Sequence, residues 1–226
     1  MFCIKTTELF DLSHSIAAPY LSEFSTPWDA LTALSDYIIS LGNQLPADQY
    51  DSPRENVWIA KDATVAPSAV VGAPCIICSG AEIRHCAYIR GSAIVGAGAV
   101  VGNSCELKNC ILFDSVQVPH FNYVGDSILG YKSHMGAGSI TSNVKSDKTN
   151  VSIRTPEGPI ETGRRKLGAM LGDFVEVGCN CVLNPGTVIG RGTSVYPLTS
   201  VRGWVPEGHI VKSPTNIVPR KNQKEN

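Results

Sequence analysis

At 226 residues, with 43% hydrophobic content and a formal net charge of −1, the chain has enough apolar material for one good core plus an appendage. The balanced charge points away from nucleic acid, and no apolar run approaches the ~20 residues of a membrane span. The opening "MFCIKTTELFDL" lacks the sections of a secretory signal. A soluble cytoplasmic protein is therefore the expectation, and the eight cysteines are not read as a disulfide framework.

Residues 1–54 carry no repeat. Within them "STPWDALTALSDYIISLGNQLP" opens with a helix-start signal, and Leu31, Leu34, Tyr37, Ile38 and Leu41 follow at helical spacing. One amphipathic helix is expected there, packed on the start of the repeating segment that begins near residue 55 and covering its open end.

From Ile59 an apolar residue recurs every six positions: Ile59, Val65, Val71, Ile77, Ile83, Ile89, Val95, Val101, Leu107 and Phe113. Four residues after each of the first eight markers comes a small one, from Ala63 and Ala69 through Cys75 to Ala99 and Cys105. A helix has period 3.6 and a simple strand period 2, so neither explains the pattern. Period six with one branched and one small inward position is the hexapeptide signature of a β-helix, three hexapeptides to a coil of 18 residues. Cys75 and Cys105 then read as small buried residues rather than metal ligands, although Cys75 and Cys78 form a C-x-x-C pair.

The period lapses at "QVPHFNYVGDSILG", residues 117–130, and resumes at Leu171, Val177, Leu183, Ile189, Val195 and Val201, with Cys181 at a small position. Residues 144–170, "VKSDKTNVSIRTPEGPIETGRRKLGAM", are rich in charge and turn formers and are expected to leave the coil as a loop. The chain thus divides into an extension (1–54), a solenoid with an inserted loop (55–214) and a polar tail (215–226).

The repeat, "HFNYVGDSILG", "MGAGSITSNVKSDK" and "GDFVEVGCNCVLNPGTVIGRGTSVYPLTSV" together resemble the left-handed β-helix acyltransferase domain of bacterial glucosamine-1-phosphate acetyltransferase/uridylyltransferase enzymes and their archaeal relatives. The likeness covers roughly residues 57–214, and "TGRRKLG" resembles the archaeal branch. It implies a mostly β, left-handed parallel β-helix with an N-terminal helical cap, and homotrimers with CoA held between neighbouring solenoids. The loop 144–170 is placed to reach across to such a neighbour. No glycine-rich phosphate loop appears in the ~50 residues before the solenoid, so uridylyl transfer is not expected.

N-acetylation requires a neutral amine to attack a thioester, and a histidine general base suits that task at neutral pH. The resemblance implies that His120 is this base, freed from the wall by Pro119 and a shifted register. It implies that Tyr123 and Asn143 contact the sugar, and that Arg90 and Lys108 face its phosphate. Ala137 and Cys179 would lie near the thioester of acetyl-CoA, and Lys212 near the CoA phosphates. Cys179 is equally read as wall packing. Where the bacterial enzymes have an asparagine this chain has His134, and where they have a tyrosine it has Val144, which leaves the identity of the amino sugar open. His134 is read as a substrate donor, with a second acid/base or a plain wall residue as alternatives.

The implied reaction is acetyl transfer from acetyl-CoA to an amino sugar phosphate such as glucosamine 1-phosphate, in the synthesis of UDP-N-acetylglucosamine and cell-envelope precursors. No close histidine pair suggests a zinc site. A noncatalytic scaffold or regulatory trimer is the alternative from another class, and the block "HFNY", which a bare scaffold does not need, argues against it.

Overall fold

Residues 18 apart lie side by side, as the period demands: Val57 opposite Cys75, Cys75 opposite Ala93. The computed structural model describes residues 3–220. Strands of two to seven residues alternate with tight turns, and every third strand falls on the same wall, so three parallel walls build a left-handed β-helix. The apolar markers point inward, and Ile77, Ile83, Ile89, Val95, Val101 and Leu107 are completely buried. Two residues before a marker the side chain also points inward, where Cys75, Cys105, Cys110 and Cys181 fill the small positions as buried free thiols. Burial, with a smaller push from the Asp114 and Asp126 charges, raises the Cys78 and Cys110 thiols to about 12, so these cysteines pack and do not react.

The first wall differs from the others. Its outward row runs Trp58, Ile76, Ile94, Ile111, Ile128, Met170, Val188 and Trp204 in unbroken register. Ile76 through Val188 in that row are fully buried, so this wall is apolar on both faces and something must cover it.

The N-terminal extension does so. Its start lies beside Gly190, Trp204 and Pro206 on the last coils, and Gly42 packs so closely on the Trp58 ring of the first coil that a Cβ there would sit 2.3 Å from it. In between, the Leu9 carbonyl accepts from Asp173 N–H (3.1 Å), the His14 carbonyl accepts from Asp114 N–H (3.0 Å), and Phe10 meets Phe113 at 5.1 Å between ring centres. Instead of one helix over 25–46, the extension holds a 3₁₀ turn, Pro27–Leu31, and an α-helix, Leu34–Gly42, after short turns from Thr6 onward. The strand Tyr50–Arg54 then covers the edge of the first coil, antiparallel to Val57–Ala60.

The rhythm breaks earlier than the markers suggest, and twice. Leu112, not Phe113, lies opposite Val95, and Leu129 lies opposite Leu112. Each of these coils is 17 residues long. The missing residue falls at the corner between third and first walls, where Asn109 (φ 49°) and Asp126 (φ 49°) take the left-handed conformation that these two residue types tolerate. The stretch 117–130 contains the second of these shortened corners: Gln117–His120 is a strand of the second wall, and Tyr123–Leu129 runs from the third wall through Asp126 onto the first.

The insertion also differs from expectation. The coil resumes at Ala169–Leu171 rather than after residue 170, and residues 144–167 fold back on their own solenoid, tied by a Val144–Lys166 bridge and forming the hairpin Ser152–Thr155/Gly158–Glu161. Val151, Ile153 and Leu167 join the core. Beyond the last coil, Asn216–Pro219 pairs antiparallel with His209–Ser213, so the expected tail begins as a strand. Residues 221–226 of that tail lie outside the described residues.

Candidate active site

The corner between second and third walls is a stacked ladder of identical turns. Phe121 N–H donates to Asn103 O (3.0 Å), Gly138 N–H to His120 O (3.0 Å), Asn180 N–H to Ala137 O (2.8 Å) and Leu198 N–H to Cys179 O (2.9 Å). His120, Ala137 and Cys179 therefore occupy one column, each two residues after an inward marker and each one coil from the next. His120 does not leave the wall, contrary to the expectation. Its backbone pairs with Asn103 in register, and only its side chain is exposed. Pro119 is buried over Gly102, where any Cβ would lie 1.5 Å from the Pro119 carbonyl oxygen.

Asn122 fixes this corner from inside. Its carbonyl oxygen accepts from His120 N–H (3.1 Å) while its amide donates to Gly136 O (2.9 Å) and Ser139 O (3.0 Å). The backbone N–H groups of Ala137 and Cys179 donate to no described residue, so two open donors sit one and two coils from His120.

Across the third wall lies a second cluster, centred on Asp126. Its carboxylate accepts from Lys108 Nζ (3.3 Å), from Asn109 (2.8 Å) and from Asn143, and Asn143 also donates to the Tyr123 hydroxyl (3.2 Å). The Tyr123 ring folds over Gly125, the residue opposite Lys108, and only glycine leaves room for it. Burial raises the Tyr123 phenol above its ordinary value, with the Asp126 charge adding to the effect, so it stays a neutral donor. Tyr123, Asn143 and Lys108 are thus brought together as expected, by a carboxylate that the sequence motifs did not single out.

Other expected residues fall elsewhere. Arg90 lies one coil from Lys108 on the same edge, but its guanidinium is already paired with Glu106 at 2.9 Å. His134 belongs to the second wall, between Gln117 and Glu176, with its Nδ1 2.9 Å from the Glu176 carboxylate. Lys212 is exposed on the last coil of that wall.

A cleft of about 630 Å³ opens beside Asp126, between Lys108, the N-terminal extension at Thr32 and the arm Gly163–Lys166 of the insertion. Its signal in the sequence is "GRRK", three adjacent cations in a turn-rich segment.

This fold, with an exposed histidine in a corner ladder and a polar wall beside it, defines a hexapeptide-repeat acyltransferase domain. The chain belongs to the family described as the GMPPB C-terminal domain, whose model matches residues 73–189. It is 30% identical over 199 residues to a bifunctional sugar-1-phosphate nucleotidylyltransferase/acetyltransferase of Sulfurisphaera tokodaii, covering 85% of this chain and 49% of that protein. It is 34% identical over 178 residues to the bifunctional protein GlmU of Methanococcus maripaludis, covering 78% and 43%. It is 31% identical over 173 residues to the uncharacterized acetyltransferase YaiX of Escherichia coli, covering 70% and 75%. The chain spans about half the length of the two bifunctional relatives.

Proposed function

We propose that the chain transfers the acetyl group of acetyl-CoA to the amine of an amino sugar phosphate, with glucosamine 1-phosphate as the first candidate, and so supplies the N-acetylated sugar phosphate that a nucleotidyltransferase consumes. The observation that carries this reading is the single column His120–Ala137–Cys179 at the edge of the wall that holds Tyr123, Asn143 and Lys108. The His120 imidazole takes a proton from the amine as its nitrogen attacks the thioester carbonyl. The open N–H groups of Ala137 and Cys179 receive the developing oxyanion. The attack forms the C–N bond, collapse restores the carbonyl and breaks the C–S bond, and the proton held by His120 passes to the departing sulfur, releasing CoA as thiol. Tyr123 and Asn143 orient the sugar ring, Lys108 attracts its phosphate, and Arg90 contributes only if Glu106 releases it. Lys212, on the distal coil, is placed for the far end of CoA.

Homotrimeric assembly belongs to the same reading. Phe121 and Leu198, 62% and 80% exposed at the His120 corner, offer apolar contacts to a neighbouring solenoid.

The test is CoA release, followed by chromatography, with acetyl-CoA and glucosamine 1-phosphate. His120→Ala should lower turnover at least ~10²-fold with the mass in solution unchanged. Near-full turnover in that variant removes His120 from the mechanism.

A further inference from the structure

The wall cations expected to hold a phosphate are both engaged, Arg90 with Glu106 and Lys108 with Asp126. The cleft next to them is different. Arg164, Arg165 and Lys166 line it, and among the described residues none of the three has a carboxylate partner. Arg164 Nη1 donates to the Thr32 hydroxyl of the N-terminal extension, while its Nε is buried without any hydrogen-bond partner. The single carboxylate facing the cleft, Asp126, is offset by Lys108, so three positive charges remain in one concave site.

Three cations in one concave site with no carboxylate partner are a costly arrangement unless an anionic ligand offsets them. A phosphoryl group, with acceptor oxygens on several sides, is the chemistry that arginine forks match.

We infer that this cleft is a phosphoryl-binding site, assembled by the insertion arm Arg164–Lys166 against Thr32 and Lys108, which anchors the phosphate end of the acceptor. The inference rests on the acetyl-transfer reading for its occupant. Asp126 and Asn143 link the cleft directly to Tyr123, so a phosphate bound here directs the rest of the molecule along the third wall. The occupant is the monophosphate of a sugar 1-phosphate or the diphosphate of a nucleotide-linked amino sugar, which share this chemistry.

The experiment is isothermal titration of the full chain with glucosamine 1-phosphate, UDP-glucosamine and unphosphorylated glucosamine. The double variant Arg165→Ala/Lys166→Ala alters exposed side chains only and should weaken both phosphorylated ligands about 10- to 100-fold, as expected for two lost charge-assisted contacts. Arg165→Lys should recover most of the affinity. A larger loss for UDP-glucosamine assigns the site to a diphosphate, and an equal loss assigns it to a single phosphate; either supports the site. A wild-type chain that releases no CoA with either phosphorylated acceptor, yet loses phosphate binding in the double variant, refutes the reaction and keeps the site. Unaltered affinity of the double variant for both phosphorylated ligands, or no binding of either by the wild type, overturns the inference.

Discussion

Asp126→Asn separates the charge at the tightened corner from its backbone. Asparagine accepts the left-handed conformation as readily as aspartate, so no strain is introduced at φ 49°. The carboxylate oxygens, only 4% exposed as a side chain, accept from Lys108, Asn109 and Asn143. An amide offers one oxygen and turns an NH₂ toward a donor that previously had an acceptor. One hydrogen bond becomes a donor–donor contact, costing about 1–3 kcal/mol. Loss of attraction to Lys108, whose own side chain is 28% exposed and partly solvated, adds about 1 kcal/mol. The expected total is about 2–4 kcal/mol, read from the urea midpoint by circular dichroism. Released from the carboxylate, Asn143 and Lys108 should also raise KM for the sugar phosphate more than they lower kcat. A stability change below about 0.5 kcal/mol together with an unaltered KM would refute the view of Asp126 as the hub of this wall.

Thiol titration at pH 8 should find three fast cysteines, Cys3, Cys86 and Cys179, with the remainder reacting only after denaturation. For Cys78 and Cys110, thiols pushed from 9.0 to about 12 hold ~10³ less reactive thiolate, and a fourth fast thiol would contradict their packing. Gly102→Ala drives a Cβ into the Pro119 backbone and should cost about 3 kcal/mol or more, seen as loss of soluble yield and of the unfolding midpoint. Arg191→Ala strips the fully buried Asp173 carboxylate of its 2.8 Å partner and should cost about 2–3 kcal/mol at neutral pH. Burial already raises Asp173 above the ordinary carboxylate range, so the folded state binds this proton more tightly than the unfolded one. The penalty should therefore shrink as pH falls through the folded pKa, and an equal penalty at pH 7 and pH 4 would count against it.

The period-six markers made the solenoid legible because inward positions in a coil must repeat in size and shape. Phe113 misled because it is also buried, but it faces Phe10 of the extension and not the coil interior. A second signal was present at the residue before each first-wall marker: "CII", "AIV" and "AML" are apolar throughout, which a strand with one face in water does not need. It foretells a covering layer, but a periodic row cannot say which distant segment supplies it. The site divides the same way. All of these residues lay in stretches with a family likeness, but that likeness implied roles only for His120, Tyr123 and Asn143, whereas Asp126 in "HFNYVGDSILG" and the Arg164–Lys166 arm in "TGRRKLG" matter through contacts across 17 and more residues of chain. Spacing does not reveal those. Arg90 and Lys108 were legible as outward cations, and their partners were not, because Glu106 and Asp126 reach them only from the adjacent coil.

Repeat proteins usually tolerate gain or loss of a unit, since each contacts only its neighbours and stability adds along the stack. Here the extension runs from Trp204 back to Trp58 and is fastened on the way at Asp173 and Asp114. It acts as a ruler. Adding or removing one 18-residue coil would shift its anchor points by about 4.8 Å, the distance between neighbouring strands, and detach one end or the other. The same tether makes the first and last coils depend on one another, so that fraying at either end is opposed by the whole length of the stack. The number of coils is held by a segment that contains none.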